Sequence, residues 1–289
     1  MLAEILNIEN YLPGSLLISL FVLGSIGGVI LMRRYFDHDR LKHYHDVAGN
    51  MLSVGGTLYA VLLGLVVVDA MQTFEDARLT VDREANALAN VYLLAEPFPA
   101  EKSGRVRALC RAYAAAVVYH EWPLMNRGEI HEEARDLSLS LVNEIAQYEP
   151  DTENLKAVYP LLVQQALEIR DERRARTSMA LYHLPAIEWV VLCAGAVITI
   201  VFTYFFRLES HRIQLAMTGM VALLIALNLY LIVLFAAPYS GDLRVKPDPI
   251  LKDLQAFDNL IPIHLQPEAG GSPHAQPSNA RHDHARPAP

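Results

Sequence analysis

The chain has 289 residues, of which 53% are hydrophobic and 19% are charged, and its mean hydropathy is +0.21. That composition is too apolar for an ordinary soluble domain of this length. The formal net charge of −8 at pH 7 argues against a nucleic-acid partner, and Cys110 and Cys193 lack the spacing of a metal-binding pair.

Four blocks of the sequence contain no Asp, Glu, Lys or Arg: residues 10–32, 47–68, 189–206 and 213–241. A transmembrane helix needs about 20 mainly apolar residues to cross roughly 30 Å of hydrocarbon, and each block meets that requirement. We therefore predict an all-α, polytopic membrane protein. Its four transmembrane helices cover about 11–33, 47–70, 185–206 and 213–237, and the N-terminal region with the first two helices is residues 1–70.

The first apolar block is interpreted as a retained helix. It follows Glu4 and Glu9 instead of a basic segment, and Arg33 and Arg34 end it without a small-residue cleavage site. A secretory signal has the opposite features at both ends.

A polar insert, residues 71–184, separates the second and third transmembrane helices. It lacks the alternation of a strand, and its Pro and Gly residues fall at breaks between helical stretches. The pattern predicts helices over about 101–122, 131–148 and 152–180. We interpret Glu121-Trp122-Pro123 as the end of the first of these helices.

A heptad pattern runs straight out of the second transmembrane helix. Phe74, Val81, Leu88 and Ala95 recur every seven residues, and no Pro or Gly stands between the membrane block and this pattern. A period of 3.5 is typical of a long packed helix. We therefore predict one continuous rod of about 50 residues.

The region after residues 185–240, which hold the third and fourth transmembrane helices, divides into two parts. Residues 241–263 form an amphipathic segment, and residues 264–289 are rich in Pro, Gly, Ser and His, which is typical of a disordered tail. His282 and His284 are interpreted as solvated, because nothing near them completes a coordination shell. The sequence predicts no metal site and no cofactor.

Basic residues do not decide which side of the membrane holds the insert. Six in the two short loops favour those loops inside, whereas nine near the other membrane ends favour the reverse. The six are Arg33, Arg34, Arg40, Lys42, Arg207 and Arg212. The nine are Arg78, Arg83, Arg170, Arg173, Arg174, Arg176, Arg244, Lys246 and Lys252. An even number of spans places the insert and both termini on one side.

Small and polar residues recur three or four positions apart in the second transmembrane helix and share one face of it. This small-residue face consists of Gly49, Asn50, Ser53, Thr57, Ala60 and Gly64. Such a face allows two helix backbones to approach closely in lipid. Because polar side chains at membrane depth face an interior, it is equally suited to line a water-filled path in an oligomer. Both interpretations remain open.

Three carboxylates follow that face: Asp69, Glu75 and Asp76. In a single subunit they are interfacial carboxylates in water. Arranged around an axis in several copies, they would form acidic rings at the mouth of a path and attract cations.

Signatures of enzymes are absent from the sequence. It contains no nucleophile elbow, phosphate loop, zincin motif or dinucleotide fingerprint. We therefore expect that the protein is not an enzyme.

Six stretches, in this order, resemble the bacterial bestrophin-like membrane family, and the resemblance spans about residues 11 to 260. The stretches are HYHDVAG (43–49), YAVLLGLVVV (59–68), VDREANALANVY (81–92), YAAAVVYHEWPLM (113–125), LPAIEWVVL (184–192) and PYSGDLRV (238–245).

Bestrophins are pentameric ion channels with four spans per subunit, and a helical cytosolic part follows their second span. The resemblance implies a homo-oligomer, a pentamer by analogy, in a bacterial inner membrane. It also implies a cytoplasmic insert, a pore lined by the second helix, and small inorganic ions as the conducted species. Calcium-gated bestrophins carry a dense acidic clasp after the last span, whereas Asp242, Asp248 and Asp253 are spread out here.

Two functional hypotheses follow. The first is an oligomeric channel or pore with its ion path along the second transmembrane helix. The alternative is a non-conducting membrane scaffold or sensor whose helical insert binds a partner protein.

Overall fold

The computed structural model describes residues 8–35, 45–181, 184–206, 210–240 and 243–259, and every regular element in these ranges is helical. The predicted tail, residues 264–289, lies outside them. The elements are α1 (Ile8–Tyr35), α2 (His45–Leu94), α3 (Ala100–Ala115), a π-helix (Ala116–Glu121), α4 (Trp122–Met125), α5 (Glu132–Ala146), α6 (Glu153–Leu181), α7 (Ala186–Tyr204), α8 (His211–Phe235) and α9 (Asp248–Asn259).

Four of these helices are long and apolar enough to cross a membrane: α1, α2, α7 and α8. The predicted all-α membrane protein with four spans is confirmed. α8 packs against α1 and α2, and α7 packs against α2 and α8. At one end of this bundle, Arg33 of α1 donates through Nε to the side-chain oxygen of the buried Gln214 of α8 (2.9 Å).

The second transmembrane helix and the start of the insert form one uninterrupted helix. α2 has 50 residues and is therefore about 75 Å long, as the heptad pattern predicted. Val81, Leu88 and Ala95 of that pattern are buried, and Phe74 is partly buried against the same core. These residues form the side of the rod on which the insert packs.

α6 runs antiparallel to the soluble half of α2 and is its main packing partner. Asn90 donates to Gln165 (2.7 Å), and closer to the membrane Arg83 lies 3.9 Å from Glu172. α5 bridges α3 and α6. The insert is therefore a helical bundle built on the extended rod.

The predicted helix end at Glu121-Trp122-Pro123 is wrong. The helix that begins as α3 continues through a π-helical turn to Met125 and ends before Gly128, whose φ of +73° suits a glycine. Trp122 is buried, so the chain gains by keeping it in the core. Pro123 is the second residue of α4 and follows directly after the π-helical turn.

The predicted amphipathic segment after the membrane contains α9. Its Ile250, Leu254 and Phe257 are buried, and the helix packs against α2 and α3. Phe257 stacks on Tyr92 with the ring centroids 4.0 Å apart. The chain after the fourth span is thereby attached to the rod.

Candidate ion path and buried charge cluster

The small-residue face of α2 is largely free of contacts within the subunit. Asn50, Ser53, Thr57, Ala60 and Gly64 are all exposed. A Cβ atom added at Gly64 would meet no neighbouring atom within 4 Å in the part of the chain that the structure describes. The helices in the described ranges therefore leave this face uncovered.

A different side of the same helix makes the contacts with the bundle. Tyr59, Leu63 and Ala70 are buried, and the Tyr59 hydroxyl donates to the backbone oxygen of Leu192 in α7 (3.1 Å). At about 100° per residue, Leu63 lies roughly a quarter of a turn away from Gly64. α2 thus presents one side to its own subunit and another to its surroundings.

Gly49 differs from the rest of the predicted face. It is half-buried, and a Cβ atom there would lie 3.6 Å from the ring of Phe206, just after α7. This position is at the edge between the packed and the uncovered sides. The Thr57 hydroxyl donates to the Ser53 backbone oxygen (2.7 Å), so its oxygen remains available as an acceptor.

The three predicted acidic residues are exposed, but they do not share one side of α2. Glu75 follows Gly64 by 11 residues, about three turns, and so continues the small-residue face. Asp69 and Asp76 lie about 120–140° around the helix from Gly64. Glu75 is also 4.0 Å from Arg78, one turn further along.

Inside the insert, a cluster of charged residues is fully enclosed. Glu84 of α2 and Arg176 of α6 have no exposed surface, and two hydrogen bonds join them: Nε to Oε2 (2.6 Å) and Nη2 to Oε1 (3.0 Å). The hydroxyl of the buried Tyr113 donates to Oε1 of the same carboxylate (2.6 Å). One carboxylate therefore joins α2, α3 and α6.

A second ion pair completes this buried charge cluster. Glu121, the last residue of the π-helix, is fully buried and accepts a hydrogen bond from Nε of Arg173 (3.1 Å). Arg176 Nη1 lies 3.3 Å from its other oxygen, Oε1, without the geometry of a hydrogen bond. Oε1 has no hydrogen-bond partner within the described ranges. Two arginines and two glutamates balance in charge, as buried ions require.

Burial is the largest single influence on the pKa values of Glu121, Tyr113 and Arg176. It raises the pKa of Glu121, although Arg176 and Arg173 oppose that shift. Burial also raises the pKa of Tyr113 well above its usual value, and the charge of Glu84 adds to this, so the phenol remains a donor. Burial alone would lower the pKa of Arg176, but Glu84 and Glu121 raise it, so the guanidinium stays charged.

The cluster also holds the chain that leaves the fourth span. The Arg176 guanidinium lies over the ring of Trp122, 5.1 Å from its centre, and the indole N–H donates to the backbone oxygen of Val245 (3.4 Å). The Tyr239 hydroxyl donates to the backbone oxygen of Ala77 (2.9 Å). These contacts join the insert to the segment that follows α8, and join that segment to α2.

Sequence reasoning missed this cluster, although one signal for it was present. Glu84 stands three residues after Val81 and four before Leu88, which places a carboxylate on the apolar face of the heptad. Glu121 gave no such signal, because the π-helical turn shifts the register that an α-helix would have.

Comparison with known proteins identifies the family and the fold of this chain. A model of the Bestrophin-like domain family matches residues 19–250, which is most of the chain. A comparison with curated proteins gives no significant match.

Solved structures share the fold at low sequence identity. The crystal structure of a bacterial bestrophin homologue from Klebsiella pneumoniae is 14% identical, with a TM-score of 0.61, and the match covers 85% of this chain and 100% of that one. A point variant of a bacterial bestrophin homologue from that organism is 14% identical with a TM-score of 0.62, covering 83% and 98%. A variant described as a membrane protein is 13% identical with a TM-score of 0.63, covering 84% and 97%. The family match together with these folds shows that the chain belongs to the Bestrophin-like family.

Proposed function

We propose that the protein forms a homo-oligomeric membrane pore for small inorganic ions, in which α2 of each subunit lines the path. One observation carries this proposal: the small-residue face of α2 is exposed within the membrane-spanning part of the subunit, while another side of the same helix is packed.

Exposure to lipid suits this face poorly. The amide of Asn50 and the hydroxyls of Ser53 and Thr57 lose hydrogen bonds to water if they face hydrocarbon, and such residues normally face a bundle interior or a water-filled cavity. Small residues also allow close approach of helices. A ring of subunits with α2 at its centre satisfies both requirements, with five copies by analogy with bestrophins.

The rod extends the path beyond the membrane. Glu75 continues the small-residue face, and Asp82, seven residues later, is again on that side. Carboxylates repeated around an axis attract cations to a pore mouth. Asp69 and Asp76 would contribute at the periphery of the same mouth. By the same analogy, the insert and both termini lie in the cytoplasm of a bacterial cell, below its inner membrane.

Reconstitution in liposomes tests this function. We expect ion flux from the wild-type oligomer and a strong reduction in Ser53→Leu and Gly64→Leu, because a leucine at either position would narrow the path. Leu20→Ala is the control, since Leu20 is 70% exposed on α1 and faces away from the packed core. Flux equal to that of the wild type is expected for this variant.

The oligomeric state separates the pore from the rival scaffold. Native mass spectrometry of the purified protein should give the mass of an oligomer of several subunits. A monomer or dimer without flux would overturn the pore and favour a non-conducting scaffold whose insert recruits a partner.

A further inference from the structure

Two histidines and a glutamate meet at the surface of the insert, away from the face of α2. His120 lies in the π-helix, His131 directly precedes α5, and Glu133 is in the first turn of α5. One potential ligand atom from each of these side chains lies within 4.8 Å of the others. We call this group the His–His–Glu cluster.

The spacing of the cluster fits a tetrahedral metal ion. Glu133 Oε2 is 2.7 Å from His120 Nδ1 and 3.7 Å from His131 Nδ1. Two ligand atoms that are each about 2.1 Å from a tetrahedral zinc ion are about 3.4 Å apart. These two separations lie on either side of that value, and the ligand atoms of the two histidines are within 4.8 Å of each other. Binding therefore requires movements on the order of 1 Å.

His131 offers a ring nitrogen that lacks a partner. Its Nδ1 is shielded from solvent and makes no hydrogen bond to any residue that the structure describes. A shielded polar atom of this kind calls for a water molecule or an ion to complete it. The nitrogen faces the Glu133 carboxylate at a distance too long for a hydrogen bond but suitable for a shared metal.

Arg173 of the buried charge cluster contacts the segments that carry both histidines. Arg173 Nη2 donates to the backbone oxygen of His131 (3.0 Å), and the same arginine pairs with Glu121, the residue next to His120. These contacts link the two segments that carry the histidines. The side chains are also 37–56% exposed, so an ion in solution can reach them.

We propose that His120, His131 and Glu133 form a binding site for a divalent transition-metal ion, of which Zn²⁺ best fits two imidazoles and one carboxylate. Three protein ligands leave a fourth position for water. The ion replaces the hydrogen bond between His120 and Glu133 and joins the end of the π-helix to the start of α5. It thereby stiffens the loop beside the buried charge cluster.

Zinc titration of the full-length protein in detergent tests this site. After removal of metal with a chelator, competition with a chromophoric zinc indicator should reveal one tight site per subunit. His120→Ala and His131→Ala should each weaken it by about 100-fold or more, since loss of even an outer-shell partner costs 10–100-fold. The control is the His282→Ala/His284→Ala variant of the tail, which should retain the site.

A spectroscopic readout identifies the ligands. Co²⁺ bound in place of Zn²⁺ should give the visible absorption of a tetrahedral ion without a thiolate band, because Cys110 is buried and Cys193 is in a membrane helix. Glu133→Gln, a change of an exposed side chain, should reduce that absorption even if a histidine variant fails to fold. Wild-type protein without a tight site would overturn the proposal. So would histidine variants that bind zinc as the wild type does.

Discussion

Arg176 of α6 forms two hydrogen bonds with the carboxylate of Glu84 in α2, and neither side chain has any surface in contact with solvent. Arg176 also lies beside Glu121, so a single guanidinium neutralises two buried carboxylates in part. A buried ion pair contributes little net stability against an apolar replacement, but removal of one partner leaves an uncompensated charge. This relationship determines how the insert should respond to mutation.

Arg176→Met should destabilise the insert strongly. It leaves Glu84 without its ion pair and Glu121 with Arg173 alone, at a cost of about 3–5 kcal/mol in the free energy of unfolding. Unfolding in detergent, followed by the fluorescence of Trp122 in a Trp189→Phe background, measures this change. The matched control is Arg83→Gln, because the Arg83 side chain is 57% exposed and its pair with Glu172 is 3.9 Å long. That change should cost less than about 1 kcal/mol. Equal costs for the two variants would contradict the assigned burial.

Two glycines in the membrane bundle should differ in their tolerance of a side chain. A Cβ atom at Gly195 of α7 would overlap the ring of Tyr59, whereas one at Gly64 would have no neighbouring atom within 4 Å among the described residues. Gly195→Ala should therefore cost about 1–3 kcal/mol by overpacking. Gly64→Ala should be neutral or stabilising by up to about 1 kcal/mol, because alanine favours a helix. Thermal unfolding in detergent compares the two. A greater loss of stability for Gly64→Ala than for Gly195→Ala would contradict this expectation. It would show that another helix packs against the small-residue face of α2.

Stability should depend on Asp253 between about pH 4 and pH 6. Burial raises the pKa of this carboxyl from 3.8 to about 6, and its Oδ2 atom has no hydrogen-bond partner in the described part of the chain. The native state binds the proton more tightly than the unfolded state. The contribution of protonated Asp253 to the stability of the folded state is therefore fully present below pH 3.8. It is lost as the pH rises through about 6.

Asp253→Asn removes the cost of burying an ionised carboxylate, which the wild type carries at higher pH. Because the group is about half-exposed, solvent screening reduces the expected gain to about 1 kcal/mol at pH 7.5. Below pH 3.8 the variant and the wild type should unfold at the same midpoint. A gain that does not change with pH would contradict the account.

The sequence predicts the scaffold well because apolar patterning determines it. The uncharged blocks and the heptad through Val81 and Leu88 specify the four spans and the 50-residue rod. Ion pairs across the insert are less predictable, because Glu121 and Arg173 are 52 residues apart and only tertiary packing selects them as partners.

The residues of the predicted ion path do not all lie on one side of α2. Spacing alone assigned the small-residue face, and Asn50, Ser53, Thr57, Ala60 and Gly64 are indeed exposed together. Asp69 and Asp76, which are predicted to contribute to acidic rings, lie on another side of α2 from Gly64, because a helix rotates about 100° per residue. His120 and His131 meet only because a turn brings α5 back towards the π-helix.

Accessibility of α2 to a charged thiol reagent tests whether the small-residue face lines a water-filled path. In a Cys193→Ala background, Thr57→Cys and Gly64→Cys place a thiol on the small-residue face, and Leu58→Cys places one about 100° around the helix from Thr57. Leu58 is 68% exposed and apolar. A cysteine reacts with such a reagent only as a thiolate in contact with water. If the small-residue face lines the path, the reagent blocks ion flux through the Thr57→Cys and Gly64→Cys proteins and leaves flux through Leu58→Cys unaffected. Flux through all three that is equally insensitive to the reagent would contradict it.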